Sequence, residues 1–62
     1  MFKINTLLIY HNPDKSIDFG YIYKIEKLRI YVAWPSVRDR SVWYTNRELI
    51  ELIAAELIEV YE

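Results

Sequence analysis

Apolar and polar residues alternate with a period of two over much of the first 45 positions, and the period then becomes helical. A first strand is predicted over about residues 6–10, where TLLIY consists mostly of β-forming residues; a start at Phe2 with a kink near Asn5-Thr6 is the alternative. Further strands are predicted over about residues 21–26, in LRIYVAW and in SVWYT. The third strand ends at Pro35, which has no N–H to donate. Its alternation puts one set of side chains on a single face: Leu28, Ile30, Val32 and Trp34.

The segments between these strands carry turn chemistry. HNPDKSID predicts a long polar loop, since Asn-Pro-Asp is typical of turns. Gly20 is the only glycine and stands at the start of the second strand, which predicts a bend or a positive φ there. Glu26-Lys27 predicts a tight turn, and SVRDR predicts the next one.

A helix is predicted late in the chain. Thr45 and Glu48 have capping-box spacing. Leu49, Leu52 and Ile53 follow at helical spacing, so we expect a helix over about residues 46–55 with these side chains inward. LIEVY favours a last strand over residues 57–61 that pairs with the first strand. The alternative is a single helix that continues to Val60.

Length and composition limit the possible functions. Sixty-two residues make one domain, residues 1–62. The absence of cysteine excludes disulfides, thiol catalysis and iron–sulfur ligation, and a single glycine excludes a glycine-rich phosphate loop. The single histidine, His11, excludes a histidine pair on a metal. Asp14 and Asp18 resemble a calcium loop only faintly, because the glycine and the closing Glu are missing. We therefore expect no enzyme, no metal and no cofactor.

Location follows from the same absences. The N-terminal residues lack the basic, apolar and small-residue regions of a secretory signal. No apolar run approaches the ~20 residues that a membrane-spanning helix needs. We expect a cytoplasmic protein without a membrane partner.

The chain resembles Tudor/KOW-type SH3-like barrels, and especially the short uncharacterised SH3-like proteins of tailed phages. The segments that carry the resemblance are GYIYKI (20–25), IYVAW (30–34), VWY (42–44) and EL (48–49). The resemblance covers most of residues 6–52 and rests on positions that determine a fold. It implies a mainly β domain, α+β by content, built as a small five-stranded barrel with a helix before the last strand. For a phage protein it implies the host cytoplasm.

Aromatic and basic residues form the best candidate binding surface. Lys and Arg neutralise phosphates while bases stack on Tyr and Trp, which favours nucleic-acid binding. Against this, the net charge is −1 and the pI about 5.8, and Asp39 lies between two arginines. Tudor-like barrels also hold methylated cations in aromatic cages, for which Trp34 and Tyr44 are further candidates. The predicted surface comprises Tyr23, Arg29, Tyr31, Arg38, Arg40 and Trp43.

Contact with a protein is the interpretation that we favour from the sequence. Tyr, Trp and Arg are enriched at interface hot spots. Residues 1–45 carry a net charge of +3 and residues 46–62 one of −4, and such a bipolar surface can bind an anion at one end or a copy of itself. Ile50 and Ile58 are expected outside the core as interface residues. The expected function is a non-enzymatic interaction module that binds a protein or forms a homodimer. Nucleic-acid binding is the alternative, and no small-molecule substrate is expected.

Overall fold

The computed structural model describes residues 2–35 and 40–61, with Arg40 described for its backbone only. Five strands and one helix follow one another along the chain. They are β1 (Leu7–His11), β2 (Ile17–Ile25), β3 (Ile30–Trp34), β4 (Arg40–Tyr44), α1 (Asn46–Ala54) and β5 (Ile58–Tyr61). This is the mainly β order that the sequence predicts, with the helix before the last strand. The alternative of a helix running to Val60 is wrong.

All five strands form one antiparallel sheet in the order β4-β3-β2-β1-β5. The expected pairing of the first and last strands is confirmed, since Leu8 lies opposite Val60 and Tyr10 opposite Ile58. The sheet is not closed: β4 and β5 are its two edges. Helix α1 contacts both edge strands.

The core lies between α1 and one face of the sheet, which we call the inner face. Leu49 is the fully buried residue of α1, and the partly buried Leu52 and Ile53 pack beside it, as predicted. Tyr10 packs edge-on against Trp34, with ring centroids 6.0 Å apart. The buried residues alternate along their strands as the pleat requires. They are Leu8, Ile22, Ile30, Val32, Trp34, Leu49 and Ile58.

Two residues depart from the predicted core pattern. Ile58 is 1% exposed, so the expectation that it lies outside the core is wrong. It pairs with Tyr10 on the inner face of β1, where the apolar inner residues cover it. Leu28 is 71% exposed instead of sharing the face of Ile30. It lies before β3, in the turn that the hydrogen bond from Glu26 N to Arg29 O closes.

Gly20 lies inside β2 and not at its start, and it does not have a positive φ, so the expectation of a positive φ there is wrong. The physical reason for glycine is space. A Cβ built there would lie 2.5 Å from Cε3 of Trp34 and 2.7 Å from the carbonyl oxygen of Ala33. Hydrogen in place of a side chain lets the indole of Trp34 lie against the backbone of β2.

The β1–β2 connection is shorter than the long loop that was expected, because Ile17 and Asp18 already belong to β2. Side chains close it. Asp14 Oδ1 accepts hydrogen bonds from Ser16 N at 2.9 Å and Ser16 Oγ at 2.6 Å. Asn12 Nδ2 donates to Asp18 Oδ2 at 3.0 Å. The polar residues that predicted a loop therefore form side-chain hydrogen bonds that stabilise the turn of the β1–β2 hairpin.

Both ends of α1 are defined by specific hydrogen bonds. The predicted capping box is confirmed: Glu48 N donates to Thr45 Oγ1 at 3.1 Å, and Thr45 N donates to Glu48 Oε1 at 2.9 Å. At the other end Glu56 has φ 63, and Leu57 N donates to Leu52 O at 3.0 Å. This is a Schellman ending in which Glu56 occupies the usual glycine position. The chain changes direction at Glu56 and leads directly into β5.

Among the residues described, no helix is long and apolar enough to cross a membrane.

Candidate protein-docking surface

The face of the sheet turned away from α1 is unusually apolar, and we call it the outer face. Leu7, next to the buried Leu8, is 49% exposed, and Phe19, next to Gly20, is 57% exposed. Both β1 and β2 therefore carry apolar side chains on both of their faces, although α1 covers only one. The large apolar residues of the outer face are Leu7, Ile9, Ile17, Phe19, Tyr21, Tyr23, Tyr31, Trp43 and Tyr61.

A β-bulge determines one end of this face. The register between β2 and β3 shifts between Ile22 and Lys24, so that Lys24 lies opposite Tyr31. In a regular strand Tyr23 and Lys24 would point to opposite faces. At a bulge, two residues oppose one and the strand turns locally, which brings both side chains beside Tyr31.

Five residues at this end form what we call the basic–aromatic cluster: Tyr23, Lys24, Arg29, Tyr31 and Trp43. Trp43 is paired with Tyr31 across β3 and β4. The Arg29 guanidinium lies 4.5 Å from the centre of the Trp43 ring, and Lys24 Nζ lies 5.1 Å from that of Tyr31. The rings of Tyr23 and Tyr31 are 6.1 Å apart, and the Tyr23 hydroxyl hydrogen-bonds Ser41 Oγ. Cation–π contacts thus already cover two of the rings.

Glu26 offsets part of the positive charge. Its carboxylate lies 3.4 Å from Lys24 Nζ and accepts a hydrogen bond of 2.9 Å from the Tyr31 hydroxyl. The hydrogen bond from Tyr31, followed by the hydrogen bond and charge of Lys24, lowers the pKa of Glu26 below its ordinary 4.5. The cluster therefore holds its own counter-ion at neutral pH.

The residues predicted from the sequence are partly brought together. Tyr23, Arg29, Tyr31 and Trp43 meet in the cluster. Arg38 and the side chain of Arg40 lie outside the described residues. Ile50 is 53% exposed on α1, on the other layer of the molecule.

The middle of the outer face was not singled out from the sequence. Leu7, Ile9, Phe19 and Tyr61 line a shallow apolar depression of about 250 Å³. The available signal was the absence of polar residues between Leu7 and Tyr10, because a half-solvated antiparallel strand alternates apolar with polar.

The opposite end of the outer face carries a different charge. His11 Nε2 lies 3.2 Å from Glu59 Oε1, and both side chains are substantially exposed. Within the described part of the chain, no group of three or more His, Asp or Glu residues is placed to hold a metal ion. The Glu59 carboxylate gives this end of the face an acidic group, beside the imidazole of His11.

An aromatic cage that includes Trp34 is not formed, because Trp34 is 5% exposed and belongs to the core. Tyr23 and Tyr31 do meet on the surface, but Lys24 already lies over Tyr31. A methylated cation would have to displace that ammonium group.

No protein-family model, curated protein or solved structure matches this chain.

Proposed function

We propose that this protein is a non-enzymatic interaction module that binds a protein through the outer face of its sheet. The observation that carries the proposal is the two-sided apolar character of β1 and β2. Helix α1 covers the inner face. On the outer face, Leu7, Phe19, Tyr21 and Tyr61 are 38–60% exposed. Single exposed apolar residues are ordinary, but a contiguous set across five strands is typical of an interface.

The composition of the face supports a protein as the occupant. Interface centres are enriched in Tyr, Trp, Phe and Arg and depleted in Lys and Glu, with charged groups at the rim. The outer face has part of this arrangement, since Leu7, Phe19 and Tyr21 lie on the inner strands β1 and β2 of the sheet. Lys24 and Arg29 lie at the β2–β3 end, and Glu59 lies on the edge strand β5. The shallow depression beside Phe19 would receive a partner side chain.

We also propose that the fold is an SH3-like barrel in which α1 completes the wall. The strand order and the pairing of β1 with β5 support this proposal, and so does the position of α1 before the last strand. A barrel of this kind leaves one outward surface for recognition while the interior is filled by side chains.

Site-specific photo-crosslinking tests the docking proposal. A photoreactive phenylalanine analogue is placed at Phe19, on the outer face, and separately at Ile50, on α1. The two positions are matched, since they are 57% and 53% exposed. In the cells that naturally make the chain, we expect a discrete protein adduct from position 19 and none from position 50.

Other outcomes of the crosslinking are equally informative. An adduct from position 50 alone would overturn the docking proposal and would support the helix interface predicted from the sequence around Ile50. The absence of protein adducts from both positions would also overturn the outer-face proposal.

Nucleic-acid binding is the second candidate, because the basic–aromatic cluster gathers two cations and three aromatic rings on one surface. The internal contacts weaken it, since Arg29 covers Trp43 and Glu26 pairs with Lys24. Titration of a single-stranded oligonucleotide at several salt concentrations tests it. Two phosphates neutralised by Lys24 and Arg29 predict a logarithmic salt slope of about −1.4. An affinity independent of salt would rule this candidate out.

A further inference from the structure

The charged groups of the outer face lie in opposite corners. Lys24 and Arg29 lie at the end of the sheet where β2 turns into β3, and we call this the basic corner. Glu59 lies on the edge strand β5, opposite Ile9. It is two cross-strand rows away from Lys24, towards the other end of the sheet, and we call this position the acidic corner. Glu26 offsets one of the two cations, which leaves one net positive charge against the negative charge of Glu59.

We infer that the partner of the outer face is a second copy of this chain, bound face to face about a two-fold axis. This inference rests on the proposed docking function of that face. An isologous interface must be self-complementary, so that each patch meets its complement when the molecule is rotated onto itself. The outer face meets this condition, because an apolar centre separates one basic corner from one acidic corner.

The positions of the corners define the arrangement of the dimer. The line between the corners runs diagonally across the strands, since it passes from β2 and β3 at one end to β5 nearer the other. A two-fold axis in the plane of the interface and perpendicular to this line puts the basic corner of each copy over the acidic corner of the other. With strands about 4.8 Å apart and same-face rows about 6.8 Å apart, this line lies roughly 35° from the strands, so the strands of the two sheets cross at roughly 70°.

The size of the face indicates a weak dimer. Five strands spaced about 4.8 Å apart and about 17 Å long have a projected area of roughly 400 Å² per copy. Standard stable interfaces bury about 800 Å² per partner. We therefore expect dissociation in the micromolar range or weaker, so that the dimer forms and separates within an accessible range of concentrations.

Sedimentation equilibrium of charge-reversed variants tests the arrangement. In homodimers of the Glu59→Lys variant both corner contacts become repulsive, as they do in homodimers of the Arg29→Glu variant. Each variant alone should dimerise about tenfold more weakly than the wild type at low salt.

A mixture of the two variants is the decisive sample. The lysine introduced at position 59 of one chain then meets the glutamate introduced at position 29 of the other, and the unchanged Arg29 meets the unchanged Glu59. The mixed pair should therefore recover wild-type affinity. Circular dichroism of each variant checks that it is folded.

Three results would overturn the inference. If the mixture of the two variants does not recover the wild-type dimerisation affinity, the basic and acidic corners do not meet. A Phe19→Lys variant that dimerises as well as the wild type would exclude the outer face as the contact. A wild type that is monomeric at near-millimolar concentration, but still gives an adduct of another protein from position 19, would overturn the self-association and leave the docking function standing. No adduct at all would overturn both.

Discussion

At the scale of single residues, packing and not residue type decides where an unusual backbone conformation occurs. Gly20 does not have a positive φ. Glycine is needed at this position because the absence of a side chain leaves space for the Trp34 ring. Glu56 shows the converse, since it has the positive φ that usually belongs to glycine. Sequence reasoning assigned the special backbone to the only glycine, and the structure puts it at a glutamate.

Replacement of Gly20 by alanine should destabilise the fold by about 1–3 kcal/mol, because the added methyl group overlaps the Trp34 ring and the Ala33 carbonyl. Urea denaturation gives the free energy of unfolding. A double variant, Gly20→Ala with Trp34→Phe, should lose less than the sum of the two single changes, because the smaller ring relieves the overlap. Strict additivity would mean that the space beside Gly20 is unimportant.

The hydrogen bond from Tyr31 to Glu26 should be visible in the titration of Glu26. In Tyr31→Phe the largest cause of the lowered pKa is removed, so the pKa of Glu26 should rise towards its ordinary value. Because the folded pKa lies below the unfolded one, this carboxylate favours folding above its ordinary pKa. The contribution is lost as the pH falls through the folded value. Carbon-detected NMR of the carboxyl group measures the shift, and Tyr23→Phe, which leaves Glu26 untouched, is the control.

At the scale of secondary-structure elements, the helix and the individual strands were predictable because each rests on a local signal. The capping box and the spacing of Leu49, Leu52 and Ile53 define α1 within one residue at its end. β-forming residues and alternation located the strands. The pairing of β1 with β5 was predicted from a closed sheet, and it is present although β4 and β5 remain the edges. The helix and the individual strands depend on signals within a short sequence window, whereas the β1–β5 pairing joins segments that are far apart in the chain.

The bulge and the outer face were not predictable in the same way. A bulge appears only when two strands are aligned, so nothing within residues 21–25 reveals that Tyr23 and Lys24 share a face. The apolar depression needs Leu7, Phe19 and Tyr61 from three separate strands. The sequence predicted four residues of the basic–aromatic cluster by type, but the contacts among them are tertiary.

The capping box makes a testable contribution to α1. Thr45→Ala removes the acceptor of the Glu48 N–H and should cost about 1 kcal/mol of stability. Thr45→Ser keeps the hydroxyl and is the matched control, so its urea midpoint should remain close to that of the wild type. Equal losses from both variants would assign the effect to the threonine methyl group instead of the hydrogen bond.

The end of α1 offers the opposite change. Glu56→Gly should stabilise the protein by about 1 kcal/mol, because glycine adopts φ 63 without the steric cost that a Cβ incurs. Ala55→Gly is the control. That residue has φ −80, so glycine there only adds freedom to the unfolded chain and should destabilise. Thermal unfolding of the two variants should therefore shift in opposite directions.

At the scale of the whole molecule, the small core and the apolar outer face are related, because both concern how much apolar surface the domain buries. Seven hydrophobic residues are buried in the part of the chain that the structure describes, and chains of this length bury only about 60% of their unfolded surface. Self-association is one common way for a small domain to bury more. The apolar residues of the outer face would then contribute to folding as well as to binding.

This coupling predicts that the melting temperature depends on protein concentration. Two unfolded chains give one folded dimer, so above the dissociation constant each tenfold rise in concentration adds about 0.7 kcal/mol per chain. For a domain of this size that corresponds to a rise of roughly 3–6 °C. Scanning calorimetry over two decades of concentration measures it. Phe19→Lys should abolish the dependence while Ile50→Lys preserves it, because only Phe19 lies on the outer face. A wild-type melting temperature that stays constant over that range would mean that folding is complete without a partner.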